Sequence, residues 1–207
     1  MEAGMAYTLD MKQVLVIPGG NSFANHEDYI QYLQERPVDL DFGNKADWKT
    51  TLSEQLGGEC QVISPRMPNR DNARYDEWKL WFERHIDLLE DGIILIGHSL
   101  GGSFLTKYLA TETIRKQVRA TMIVAGVFDG FVPGCGDFLV TGPLDRLTEQ
   151  GGDIHLYFST DDAVVPYEEL GKYRAALPEA VVHSFTDRGH FNQEEFPELV
   201  TDIKNLT

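Results

Sequence analysis

Short aliphatic runs punctuate the chain at QVLVI (13–17), CQVIS (60–64), IILIG (93–97), TMIVAG (121–126), IHLYF (154–158) and VVHSF (181–185). Each is apolar at nearly every position and bounded by Gly, Pro or Asp, the pattern of a strand buried on both faces. Between these runs the period changes. KADWKTTLSEQL sets Trp48, Leu52 and Leu56 four residues apart and predicts a helix over 44–57. YDEWKLWFERHIDLLE sets Trp78, Trp81, Phe82, His85 and Leu89 on one stripe, and further helices are expected at 102–112, 166–176 and 191–205. Strand alternating with helix predicts an α/β fold of three layers, α/β/α, because parallel neighbours need crossovers and these cover both faces of the sheet. No longer repeat recurs, so a solenoid is not expected. Two connections stand out by length: PGGNSFANHEDYIQYLQERPVDLDFGN after the first run and VFDGFVPGCGDFLVTGPL after the fourth. Long loops inside a compact domain are usually functional.

Composition narrows the setting. With 207 residues, 42% of them hydrophobic, the chain can close one sizeable core, and residues 11–207 are expected to form one domain behind a tail at 1–10. The 18 basic and 33 acidic residues leave a formal charge of −15, which repels phosphate backbones and anionic membranes. Neither nucleic acid nor membrane is expected as a partner. MEAGMAYTLDM has no basic start, apolar run or small-residue cleavage site, and no later stretch approaches the apolar length of a bilayer span, so the expected location is cytoplasmic. Cys60 and Cys135 lie far apart and outside any C-x-x-C spacing, which suggests reduced structural thiols rather than a zinc site or a disulfide framework.

The chemistry enters with Gly97-His98-Ser99-Leu100-Gly101, followed by Gly102, a G-x-S-x-G pattern. A buried run ends at its first glycine and a helix is expected just behind the serine, the context of a tight strand-to-helix turn that needs small residues on both sides. The helix start aims its N–H groups and dipole toward developing negative charge. A serine hydroxyl needs a general base, usually a histidine oriented by a carboxylate. Of six histidines, His155 and His183 fall inside strand runs and His85 on a helix stripe, all read as structural; His26 lies in the first long loop and His98 within the turn itself. His190, in FTDRGHFNQEEF, sits in the loop between the last strand and the last helix, at the carboxyl end of a strand where open α/β sheets build their sites. FSTDDAVVPYEEL follows the fifth strand and offers Asp162 as the orienting acid, with Asp161 as a helix-end or surface carboxylate. The chain order Ser99, Asp162, His190 is that of α/β-hydrolases. Two backbone donors are required for an oxyanion: Leu100 supplies one, and VIPGGNSF supplies the other from Gly20 or, next to it, Asn21.

With these residues the chain resembles the α/β-hydrolase superfamily, and within it the small serine hydrolases of the retinoblastoma-binding protein nine and YdeN type. The resemblance rests on VLVIPGGNS, the tryptophan-bearing helix, ISPRMPNRDNARYDEWKLWF, LIGHSLGG, STDDAVVP and DRGHF. It implies strand order 2-1-3-4-5-6, a minimal sheet without a large cap domain, and hydrolysis of a small ester, thioester or amide through an acyl-enzyme, with no metal or organic cofactor. Two departures are visible: Pro18-Gly19-Gly20 stands where many members begin with His-Gly, and ERPVDLDFGN lengthens the first connection.

Phe128, Phe131 and Phe138, with Phe23, Tyr29 and His98, are candidate walls of a pocket for a small-molecule acyl substrate. Arg66, Arg70 and Arg74 read mainly as a solvated charged loop, with steering of an anionic substrate as the other option. Two other functions fit the same residues: a protein-interaction module on a hydrolase fold, its partner unspecified, and acyl transfer to an acceptor other than water.

Overall fold

Six strands, β1 (Lys12–Ile17), β2 (Cys60–Ile63), β3 (Ile93–His98), β4 (Val118–Val124), β5 (Asp153–Ser159) and β6 (Val181–Phe185), form one sheet in the order β2-β1-β3-β4-β5-β6. Every pairing is parallel, with Leu15 opposite Leu95, Ile96 opposite Met122 and Tyr157 opposite His183. The computed structural model describes residues 11–38, 46–130 and 134–206, so the expected tail at 1–10 lies outside the described residues. Topology and layers follow the expectation. The runs are not all buried on both faces, however. β1, β3 and most of β4 are, whereas β6 is an edge strand with Val181 48% and β2 an edge strand with only Cys60 buried. An edge strand has one neighbour and less helix over it, which its aliphatic composition does not reveal.

The helices are α1 (His26–Glu35), α2 (Trp48–Gln55), α3 (Tyr75–Ile86), α4 (Leu100–Thr111), α5 (Asp145–Gln150), α6 (Glu168–Ala176) and α7 (Pro197–Asn205), with 3-10 turns at Arg70–Asn72 and Gly136–Phe138. α2 and α7 share one face of the sheet: Trp48 meets Phe196 edge-on at 5.6 Å and Gln55 Oε1 accepts from the Phe196 N–H. The other face carries α3, α4 and α6, joined where Phe82 meets Phe104 and where the Thr106 and Tyr173 hydroxyls hydrogen-bond at 2.8 Å. α2 begins at a capping box, the Asp47 carboxylate accepting from the Lys49 and Thr50 N–H groups while Thr50 Oγ1 accepts from the Asp47 N–H.

Four elements depart from the pattern-based expectation, one of them α5, a short helix that no sequence pattern places. α1 occupies the first long connection, read from the sequence as loop; it is N-capped by Asn25 and buries none of its residues fully, although Tyr29, Ile30, Tyr32 and Leu33 are spaced at helical intervals and Tyr29 and Tyr32 pack on Phe23. On α3 the buried side chains are Tyr75, Trp78, Phe82 and Ile86, while Trp81 and His85 turn outward and meet edge-on at 5.2 Å. The last helix starts at Pro197, not at 191, because Phe191 takes a positive φ of 52° that ends any helix there.

Candidate active site

Ser99 sits at the junction of β3 and α4 with φ 55° and ψ −122°, an unusual conformation for a non-glycine residue. Such angles cost on the order of 1–3 kcal/mol and persist only where the surroundings dictate them. Here the surroundings are backbone. A methyl group on Gly97 would overlap the Gly101 carbonyl, and one on Gly101 would overlap the carbonyls of Ile17 and Pro18. The Ser99 N–H is bound to Val124 O at 2.8 Å, and Ser99 O accepts from Gly102 and Ser103, which starts α4. Leu100, in the first turn, leaves its N–H without an intrahelical acceptor, available to a ligand.

β5 and β6 supply the ionisable pair. His190 Nδ1 lies 2.8 Å from Asp162 Oδ2, and Asp162 Oδ1 accepts from the N–H groups of Val164 and Val165 at 2.7 and 3.0 Å. The Asp162 side chain is 2% exposed. With Nδ1 facing the carboxylate, Nε2 is the free nitrogen of His190; the Ser99 hydroxyl makes no hydrogen bond among the described residues. Of the two roles expected for Asp161, the helix-end one does not fit and the surface carboxylate does, since the residue is exposed. Its Oδ1 accepts from Ser159 Oγ and from the Gly189 N–H at 2.9 Å, and Ser159 Oγ also accepts from the Arg188 N–H, so this carboxylate fastens the loop that carries His190. The hydroxyl and the amide together hold the Asp161 carboxyl below the ordinary aspartate range.

Two further side chains reach the same loop from behind. His98 Nε2 is 2.9 Å from His190 O, which fixes Nε2 as the protonated nitrogen because a carbonyl only accepts. Trp48 Nε1–H donates to Phe191 O at 2.8 Å, the next carbonyl along. Burial holds the His98 imidazole well below its ordinary pKa, and the Lys49 ammonium pushes it the same way, so His98 is a neutral post under the loop. It is buried, which removes it from the candidate pocket wall.

The β1–α1 loop approaches from the other side. A side chain on Gly19 would press on Ser99 Cβ at 3.1 Å, which places this loop directly against the serine. The Asn21 N–H is committed to Arg70 O at 2.8 Å, while Asn21 O accepts from Ala73 and Arg70 Nε–H donates to Gly19 O at 3.0 Å. Of the two expected donors in this loop, Gly20 therefore keeps the better claim to a free N–H. Arg74 donates to Phe23 O at 2.6 Å. Two of the three arginines read as a solvated loop thus clasp carbonyls of the β1–α1 loop, Arg70 at Gly19 against the serine and Arg74 at Phe23, while Arg66 is exposed.

Beyond this loop opens a cavity of about 560 Å³ bounded by Ser22, Phe23, Ala24, Tyr32 and Leu139, with Asp28, Gln31 and Glu35 of α1 on its rim. Among the described residues, Phe23 is the one expected pocket aromatic on its wall. Phe138 is 0% exposed and packed against Trp78, so it is core. Phe128 packs edge-on against Tyr173 of α6, on a loop whose Phe128 and Gly130 N–H groups bind the buried Glu169 carboxylate. Tyr29 stacks behind Phe23 at 5.6 Å. Phe131 lies outside the described residues. Both cysteines are free and buried, and burial raises the Cys135 thiol to about 11.

A parallel sheet in this order, with a strained serine behind its third strand, defines the α/β-hydrolase class. The chain belongs to the serine hydrolase family, whose model matches residues 42–199. It is similar to serine hydrolase RBBP9 of Rattus norvegicus, 27% identical over 77% of this chain and 84% of that protein. It is also similar to YdeN of Bacillus subtilis (strain 168), 25% identical over 72% of this chain and 80% of the other. In three dimensions the crystal structure of the B. subtilis ydeN product aligns with a TM-score of 0.71 at 20% identity, over 95% of this chain and 98% of that one. The meta-cleavage product hydrolase of Pseudomonas fluorescens IP01 aligns with a TM-score of 0.66 at 14% identity, over 94% and 90%. At these identities the structural matches concern the fold. None of the helices among the described residues is long and apolar enough to cross a membrane.

Proposed function

We propose that the chain hydrolyses a small ester, thioester or amide through Ser99, His190 and Asp162 by way of an acyl-enzyme. The observation that carries this reading is the 2.8 Å contact of His190 Nδ1 with a buried Asp162, made at the strand ends beside a serine in a strained turn. In the first half-reaction Ser99 Oγ attacks the carbonyl carbon and its proton passes to His190 Nε2. Asp162 holds Nδ1–H and stabilises the imidazolium. The Leu100 and Gly20 N–H groups receive the negative oxygen, and His190 returns the proton to the leaving group as the C–O, C–S or C–N bond breaks. Water, deprotonated by His190, then releases the acid and restores Ser99.

The cavity beside Phe23 has the volume of a typical small-molecule site. Its lining of Phe23, Tyr32, Leu139, Asp28 and Glu35 contains none of Ser99, Leu100, Gly20 or His190, so it supports the small-substrate reading only as a neighbour of the β1–α1 loop. A fluorophosphonate probe tests the reading. Covalent labelling of the folded chain, absent in Ser99→Ala, is the expected result. Absence of labelling in folded wild-type protein would leave the reading without a nucleophile.

A further inference from the structure

A second cluster of ionisable groups lies away from the serine, on the sheet face covered by α7. His155 and Tyr157 are two residues apart on β5 and so share a face; the pairing sets His183 of β6 beside Tyr157. Asp202 of α7 closes over them. His155 Nδ1 is 3.3 Å from His183 Nε2, His183 Nε2 is 3.3 Å from Asp202 Oδ2, and His155 Nδ1 is 4.0 Å from the same oxygen. Tyr157 O–H donates to that oxygen at 2.7 Å.

We propose that His155, His183 and Asp202 form a binding site for a late first-row divalent cation, Zn²⁺ foremost. Tetrahedral zinc holds N and O ligands at about 2.0–2.2 Å, which puts neighbouring ligand atoms about 3.3–3.5 Å apart. Two edges of the triangle have that length, and the third closes with a shift of about half an ångström in a carboxylate that is 19% exposed. Two imidazoles and one carboxylate form a donor set that suits zinc and its neighbours better than magnesium or calcium, which take oxygen. The Tyr157 hydroxyl supplies the outer hydrogen bond that orients a ligating carboxylate. His183, 20% exposed, leaves a side open for a water ligand and for entry of the ion.

Without a cation, one N–H on His183 Nε2 can be shared between His155 Nδ1 and Asp202 Oδ2, each 3.3 Å away, and the nearly parallel imidazoles face each other as in an N–H···N bond. A cation would replace that single proton and draw in the third edge, now 4.0 Å. His155 is near the amino end of β5 and Asp162 beyond its carboxyl end, so the ion is not in the proposed reaction. It joins β5, β6 and α7 instead, and the segment carrying His190 runs from β6 to α7. Bound cation therefore steadies both anchors of that segment. The inference stands whether or not the chain is a hydrolase.

The test uses the full chain, freed of metal with a chelator and titrated with Co²⁺ and Zn²⁺. Expected are one equivalent of Co²⁺ with visible d–d absorption, displaced by Zn²⁺, and a Tm that rises with Zn²⁺ concentration. His183→Ala and Asp202→Asn should each remove the spectrum and the Tm response, and Tyr157→Phe should weaken binding roughly 10–100-fold. Absence of a Co²⁺ spectrum and of a Zn²⁺ effect on wild-type Tm overturns the proposal. So does binding that survives unchanged in whichever of His183→Ala and Asp202→Asn folds. Asp202→Asn keeps the acceptor for Tyr157 and is the variant expected to fold as wild type does.

Discussion

Asp161 and Asp162 are adjacent carboxylates with different work, and replacing each by asparagine separates the roles. In Asp162→Asn the side-chain oxygen can still accept from Val164 and Val165, at the positions now 2.7 and 3.0 Å from Oδ1. The amide NH₂ then faces His190 Nδ1, where a carboxylate oxygen stood at 2.8 Å. An NH₂ donates, so Nδ1 becomes the acceptor and the proton moves to Nε2, the nitrogen that must take the serine proton. The variant keeps its fold and holds the wrong tautomer. Loss of the buried carboxylate in an oriented Ser-His-Asp system costs on the order of 10⁴ in turnover, about 5.5 kcal/mol at about 1.4 kcal/mol per decade. In Asp161→Asn the amide oxygen can still accept from Ser159 Oγ and the Gly189 N–H, the two bonds that hold the loop. Turnover should fall less than about tenfold. The assay is kcat/KM on a short-chain p-nitrophenyl ester, with Tm measured on the same samples. Equal losses, or a larger loss in Asp161→Asn at unchanged Tm, would refute the assignment of Asp162 as the orienting acid.

Trp48→Phe removes the N–H bound to Phe191 O and leaves a buried carbonyl unpaired, so stability should drop by about 1–3 kcal/mol, read by urea unfolding, with activity falling as the His190 loop loosens. Arg70→Ala releases Gly19 O and should lower kcat more than it raises KM, since the guanidinium braces the loop that supplies the oxyanion donor. Gly101→Ala should destabilise by about 3 kcal/mol or more or prevent folding, because its methyl meets the Ile17 carbonyl, whereas Gly142→Ala meets open space and should change Tm little. Acidification tests the buried histidines. His98 and His155 both have folded pKa values below the unfolded value of about 6.5, so below that pH the unfolded chain binds more protons and stability falls as pH falls. Each group contributes a slope of up to about 1.4 kcal/mol per pH unit until its folded pKa is reached, and urea unfolding between pH 5 and 8 should show a shallower slope in His98→Asn. A wild-type stability that stays flat over that range would mean that His98 is not held neutral.

The legibility of this fold from sequence depends on how far apart the interacting residues lie along the chain. Strands β1, β3 and β4 announce themselves because burial on both faces makes consecutive residues apolar along most of their length, at Val14–Ile17, Ile93–Ile96 and Met122–Val124. The edges at β2 and β6 carry the same residue types under weaker demand, and α1 is legible in the helical spacing of Tyr29, Ile30, Tyr32 and Leu33 although it buries none of its residues fully. The candidate triad is legible for a related reason: each member follows a strand, and parallel strands bring their carboxyl ends together. Asp162 and His190 need only the order of the sheet to meet.

What supports that triad belongs to another category. Trp48 reaches Phe191 across 143 residues, Arg70 reaches Gly19 across 51, and His98 reaches the His190 carbonyl across 92. None of these bonds has a period or a motif, because each pairs a side chain with a backbone carbonyl that any residue type carries. Backbone contacts hold Ser99 in its strained turn, and side-chain bonds to carbonyls hold the loops on either side of it. Conservative substitutions at Trp48 or Arg70 that keep size and lose the donor should therefore disturb the geometry around Ser99 while leaving the hydrophobic pattern, and so the sheet, intact.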